Sequence, residues 1–178
     1  QVCDPVKIGR MAAFCQPGKR IICCVDDINN VANLSAAATK SQVTIECLVE
    51  LECGTQRCGV SDLDDLVKIA KAIVAAPGLK FTGLQAYNGR VQHHQSFADR
   101  KGVEADVVAM TRSAIAALEH ANISCEIVSG GGTGSILSDR ASAILKGFLG
   151  TLDLDPEGKY CSLIDSATSL SKPCASEK

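Results

Sequence analysis

The chain has 178 residues, enough for one domain with a real core but short of the roughly 200 residues or more of a full eight-stranded barrel. Its net charge is −2, aromatic residues make up 3%, and Trp is absent. No basic stripe or base-stacking platform is visible, so nucleic acid is excluded as the expected partner. No apolar run approaches the ~20 residues that cross a bilayer, so no membrane span is expected.

Asp4-Pro5 reads as an N-cap followed by Pro at the first helical position. That helix should run to about Phe14 and stop at Pro17-Gly18. The chain thus opens on a helix start with no signal peptide before it, as in a sequence that begins inside a domain or behind a removed leader. Residues 20–25 form a compact apolar strand. Asp27 caps a second helix through Val31, Leu34 and Ala38, and residues 44–51 form a second strand. Ser61 with Asp64 resembles a capping box. Leu63, Leu66, Val67, Ala70, Ile73 and Val74 then recur at helical spacing until Pro77-Gly78 ends the run.

Residues 79–86 give a third strand, a helix is expected from about Val103 to His120, and residues 125–129 give a fourth strand. This strict alternation predicts βαβ units, a parallel sheet and an arc or barrel with helices outside. After Ser135 the character changes. Residues 136–150 could form one more helix, Asp153, Asp155 and Glu157 surround Pro156 in an acidic turn, and the Ser-rich end from Ser162 reads as weakly ordered. The expected division is therefore a partial (β/α) barrel over 1–135 and a divergent C-terminal helix and tail over 136–178.

Of the ten cysteines, Cys23, Cys24, Cys47, Cys53 and Cys125 lie in apolar strand-like runs, where a free thiol packs as a small hydrophobe. There is no C-x-x-C pair, and the three His are not at metal-ligand spacing with Cys. Reduced core thiols are expected, with Cys161 and Cys174 the candidates for exceptions, and a reducing compartment follows from that.

Chemistry-bearing residues fall just after the strands. Arg57 follows the second, Tyr87 ends the third, and His93 with His94 lies in the next loop. Gly130-Gly131-Gly132-Thr133-Gly134 follows the fourth. A guanidinium fork suits planar oxygens. A tyrosine can stack on a planar ring or donate its hydroxyl. Histidine moves protons near neutral pH. Consecutive glycines let backbone amides turn toward a phosphate, although this run is neither a P-loop nor a G-x-G-x-x-G fingerprint. Taken singly, each has a plainer reading: a solvated arginine, a structural tyrosine, an inert histidine pair, a mechanical turn. Their joint placement on successive strand ends, which converge on one rim of such a fold, points to a cofactor site.

The ordered blocks are similar to a known family. They comprise Lys7-Ile8-x-Arg10-Met11, Val25-Asp26-Asp27 with Asn30-Val31-Ala32-x-Leu34-Ser35, Leu48-Val49-Glu50-Leu51, and Gly54-x-x-Arg57-Cys58-Gly59-Val60. Further on stand Pro77-Gly78-Leu79-x-Phe81-x-Gly83-Leu84-Gln85-Ala86-Tyr87, Gln92-His93, and Val128-Ser129-Gly130-Gly131-Gly132-Thr133-Gly134-Ser135. Over roughly residues 5–135 the chain resembles the D-threonine aldolase and D-serine dehydratase family, within the alanine racemase-like fold type of pyridoxal phosphate enzymes.

The resemblance implies an α/β fold, a parallel β/α arc that is part of a TIM-like alanine racemase-type barrel. It implies that Arg57 bonds the cofactor's phenolic oxygen, that Tyr87 lies beside the cofactor, and that Gly131, Gly132 and Thr133 belong to its phosphate cradle. It implies His93 as the proton-transferring catalytic residue near the substrate hydroxyl, in retro-aldol cleavage of a small-molecule D-β-hydroxy-amino acid. The family's Schiff-base lysine lies on the first barrel strand, which the resemblance places ahead of Gln1. Its divalent-metal ligands lie in a C-terminal β-domain, whereas residues 136–178 contain no His. Asn88 stands where the family usually has His. The expectation is a fragment of such a lyase, inactive alone, with another polypeptide covering the open barrel edges. The alternative is a non-catalytic scaffold or assembly subunit derived from the family.

Overall fold

The computed structural model describes residues 1–16, 19–132, 135, 142–144, 150–154 and 160–165. They divide into two compact units, Gln1–Lys146 and Gly147–Lys178.

In the first unit α1 (Pro5–Phe14) precedes β1 (Ile22–Val25), α2 (Ile28–Ser41), β2 (Ile45–Glu50) and α3 (Leu63–Ala75). β3 (Leu79–Ala86), a 3-10 turn (Gly89–His93), α4 (Phe97–His120) and β4 (Ile127–Gly130) complete it. The four strands are parallel and stand in the order β1-β2-β3-β4, as the alternation predicts. One helix makes each crossover. Cys23, Val25, Ile45, Cys47, Val49, Phe81, Leu84 and Val128 share a core with Ile8, Val31, Leu34, Leu66, Ile73, Ala114 and Leu118 of the helices. Sequential strands with every crossover helix on one face are wound as a barrel is wound, not as a doubly wound sheet.

Local chemistry explains the helix boundaries. Asp4 accepts from Lys7 N ahead of Pro5, and Asp27 accepts from Asn29 N and Asn30 N. The cap of α3 is Asp62 rather than Ser61, because its carboxylate accepts from both Asp64 N and Asp65 N. The long helix starts at Phe97, six residues before the expected Val103. Ser96 caps it through Asp99 N, and interior Gly102 is carried by the turns on either side.

Alternation along each strand sends the other side chains to the inner face of the arc, opposite the helices. There Cys24, Leu48, Gly83 and Ile127 stand in one row, and Glu50, Gln85 and Ser129 in the row above. At the N-terminal strand ends Arg20 pairs with Glu46 at 2.6 Å and Lys80 with Glu126 at 3.2 Å. The β2–β3 register slips between Cys47 and Leu48, and the buried Thr82 hydroxyl bonds Cys47 O at 3.1 Å in that bulge.

The second unit is described over residues 150–154 and 160–165, and most of the expected weakly ordered tail lies outside the described residues. β5 (Gly150–Leu154) and β6 (Tyr160–Asp165) pair antiparallel. The alternation of Leu152, Leu154, Cys161 and Leu163 with polar residues around the acidic turn is a strand pattern of period two. The expected helix over 136–150 lies mostly outside the described residues. Cys3, Cys15, Cys23, Cys24, Cys47, Cys53, Cys58 and Cys125 are unbridged.

Candidate functional site

The C-terminal strand ends form one connected rim. The loop after β1 supplies Asp26, whose carboxylate accepts from Gly59 N at 2.9 Å. That bond ties β1 to the loop after β2. This second loop, residues 51–60, closes on itself through Val60 N to Glu50 O at 2.8 Å and Glu52 N to Val60 O at 3.0 Å. The Glu52 carboxylate sits inside it. Burial would raise its pKa, but the amides of Gln56, Gly54, Arg57 and Thr55 together outweigh burial and hold it below the usual value. Buried Asn88, just beyond β3, donates from Nδ2 to Cys53 O at 2.9 Å and accepts from Arg90 N at 3.0 Å. The β2 loop is thereby fastened to the β3 loop.

The rim continues to β4 through Tyr87. A Cβ on Gly132 would stand 3.4 Å from Tyr87 Cε2 and 2.5 Å from Gln92 Nε2. A Cβ on Gly89 would stand 3.3 Å from Tyr87 Cε1. The phenol ring therefore packs between two glycines, with the Gln92 amide beside it. Gly131 has φ +75°, which glycine adopts without strain. The amide of Gly132 donates to Ser135 Oγ at 2.8 Å.

The sequence-predicted residues thus meet in part. Tyr87, Gly131 and Gly132 share one corner, and the loop bearing Arg57 is bonded to the residue after Tyr87. His93 ends the 3-10 turn with an exposed side chain and no hydrogen bond to the others among the described residues. Thr133 lies outside the described residues. The loop ahead of α4 is braced by Arg100, whose Nη1 donates to His94 O and Gln95 O, each at 2.9 Å.

Two residues that the sequence reading named without giving them a site role hold this rim together. One is Asn88. The other is Glu50, 7% exposed, at the end of β2. Its Oε1 accepts from Cys58 Sγ at 2.9 Å and from Arg57 Nη2 at 3.4 Å, and its Oε2 accepts from Gln1 Nε2 at 3.5 Å. The bond to Glu50, with burial behind it, pushes the Cys58 thiol up against the opposing pull of Arg57. Burial and then the Glu50 charge push Cys24, on the same inner face, up to about 11. A carboxylate closing the apolar run Cys47-Leu48-Val49, seven residues ahead of an arginine, was the available signal for Glu50.

Described lysines lie on the helices or ahead of β1 and at the start of β3, away from this rim. Among the described residues no group of three His, Cys, Asp or Glu side chains is placed to hold a metal ion.

A family model described as alanine racemase, N-terminal domain, matches residues 5–146. A 3-hydroxy-D-aspartate aldolase of Paracoccus denitrificans (strain Pd 1222) is 45% identical over 144 residues, covering 81% of this chain and 37% of the relative. A D-threonine aldolase of Arthrobacter sp is 34% identical over 185 residues, 97% of this chain and 48% of the relative. The crystal structure of D-threonine aldolase from Filomicrobium marinum superposes with a TM-score of 0.79 at 37% identity, over 82% of this chain and 39% of that one. The chain spans under half the length of each of these proteins. D-threo-3-hydroxyaspartate dehydratase from Delftia sp. HT23, at 20% identity and a TM-score of 0.69, shares the fold.

Proposed function

The chain belongs to the alanine racemase N-terminal domain family, and from that premise we propose that it is the barrel arc of a pyridoxal phosphate-dependent aldolase, a lyase cleaving small D-β-hydroxy-amino acids. The observation that supports this reading is the bonded rim. Four successive strand ends are linked through Asp26–Gly59, Cys53–Asn88 and Tyr87–Gly132. The loop bearing Arg57, the Tyr87 ring and the turn at Gly131 and Gly132 belong to that rim, which supports reading them as one site.

The donor set suits a flat, phosphorylated, phenolic ring. The Arg57 guanidinium would donate to the phenolic oxygen. Tyr87, steadied by Gly89 and Gly132, would pack beside the ring. The Gly131 and Gly132 amides, with Thr133, would take the phosphate, Gly132 exchanging its bond to Ser135 Oγ for one to a phosphate oxygen. When bound, pyridoxal phosphate supplies an electron sink for the pair left by Cα–Cβ cleavage. His93 would remove the hydroxyl proton, and its exposed position at the end of the 3-10 turn leaves it open to a substrate. The lysine that would carry the cofactor has no counterpart on the described rim. A further polypeptide segment beside β1 and β4, the edge strands of the described sheet, would supply it. The described side chains do not form a metal site.

The second reading, a scaffold or assembly subunit of the same ancestry, draws on the absence of lysine from the described rim. A phosphate titration followed by amide shifts separates the two. Shifts at residues 131–133 that weaken in a Thr133→Val variant support the cofactor site. No shift at millimolar phosphate rejects it.

A further inference from the structure

We propose that Glu50 is the positioning residue for Arg57: its buried carboxylate grips both the guanidinium and the neighbouring Cys58 thiol, and so fixes where the cation stands on the rim. The inference rests on the cofactor reading of this site and adds a residue to it.

Arg57 has little support beyond Glu50 and Cys58. It sits on a loop, its side chain is 61% exposed, and among the described residues its side-chain partners are Glu50 and Cys58. A long arginine on a loop has many rotamers, and a cation that must meet one oxygen cannot sample them freely. Glu50 has the opposite character. It is fixed at the end of a central strand, paired in register with Gln85, and its own carbonyl accepts from Val60 N. The bonds Val60 N to Glu50 O and Glu52 N to Val60 O shut the intervening loop, which brings residues 57 and 58 back over residue 50.

The chemistry of the three groups is complementary. A buried carboxylate needs donors. Oε1 has two, Cys58 Sγ at 2.9 Å and Arg57 Nη2 at 3.4 Å. Arg57 Nε in turn lies 3.3 Å from Cys58 Sγ, so the thiol bridges cation and anion. A mostly exposed ion pair contributes little stability. Glu50, however, stands in the inner row with Gln85 and Ser129, beside the rim on which the cofactor would rest. Held there, the guanidinium keeps its remaining N–H groups for a ligand.

The test is Glu50→Gln in the full chain, with two readouts. The first is iodoacetamide alkylation of Cys58 against pH, resolved by peptide mass, which needs no cofactor. Loss of the carboxylate should raise the Cys58 rate at mildly alkaline pH about fivefold, because the bond to Glu50 no longer withholds the thiol proton. The second is pyridoxal 5′-phosphate affinity, which should weaken about tenfold as Arg57 loses its anchor. Should Glu50→Gln fail to fold, Glu50→Asp keeps the charge but shortens the reach, and both readouts should move the same way by about half as much on a logarithmic scale. An unchanged Cys58 profile overturns the inference and leaves the cofactor reading standing. So does a shifted profile with unchanged affinity, where Arg57→Ala abolishes binding. A wild-type chain that binds no pyridoxal 5′-phosphate overturns the cofactor reading and this role for Glu50 with it.

Discussion

The ring of Tyr87 lies against the backbone of Gly132: a Cβ at that glycine would come within 3.4 Å of Tyr87 Cε2 and 2.5 Å of Gln92 Nε2. The contact joins the β3 and β4 strand ends without a hydrogen bond. Gly132→Ala should displace the Gln92 amide, since the flexible end of that side chain can give way where backbone could not. The expected loss is about 1–2 kcal/mol, the lower part of the overpacking range. Urea unfolding checks the loss, and the amide shift of Gly89 on the far side of the ring reports whether Tyr87 has moved.

Gly83 is a harsher case. Its φ is +152°, and a Cβ there would stand 1.8 Å from the Ile127 carbonyl oxygen, in the backbone of the neighbouring strand. Gly83→Ala should therefore break β3–β4 pairing and cost about 3 kcal/mol or more. Thermal unfolding by circular dichroism measures it. A variant within a few tenths of a kcal/mol of wild type would contradict the close strand approach.

Asn88→Ala removes a buried amide that bonds Cys53 O and caps Arg90 N. Leaving that carbonyl unpaired should cost about 2 kcal/mol. Hydrogen exchange should quicken for residues 52–58, while the β1–β2 amides stay protected.

Acid should loosen the Arg57 loop before the sheet. The folded Glu52 carboxyl lies below its ordinary value of 4.5, the four loop amides outweighing burial. Its stabilising contribution is therefore complete above the unfolded value and is lost as pH falls through the folded one. Glu46 is depressed too, chiefly by its hydrogen bond to Arg20, and contributes with the same sign. Glu52→Gln should flatten the fall of the urea midpoint below about pH 4.5 and leave the Glu46 share in place.

Thiol reactivity should sort by burial. Burial, reinforced by nearby thiols and Glu46, pushes Cys47 up to about 12. Burial followed by the charges of Glu52, Glu104 and Glu50 pushes Cys53 up to about 12 as well. Cys3 is exposed. Peptide-resolved alkylation of the native protein should label Cys3 first and Cys47 and Cys53 only on unfolding.

The strand and helix alternation was legible in the sequence because its signals are local. Apolar runs, an Asp before a helical stretch and Pro-Gly stops act over fewer than about ten residues, and together they predicted four parallel strands with outer helices. Arg57, Tyr87 and the glycine turn were likewise legible as strand-end residues, since order along a β/α chain dictates which end of the sheet a loop occupies. The choice of Asp62 over Ser61 as cap and the early start of α4 at Ser96 were not, because adjacent polar residues compete for the same amides and backbone geometry selects the winner. The partnerships of the rim were decided only by tertiary structure. Asn88 meets Cys53 across 35 residues and Gly59 meets Asp26 across 33. Glu50 becomes a ligand for Arg57 only when the loop between them closes. Such bonds depend on strand register and on which side chains the fold removes from water, and neither is written into any short run of residues.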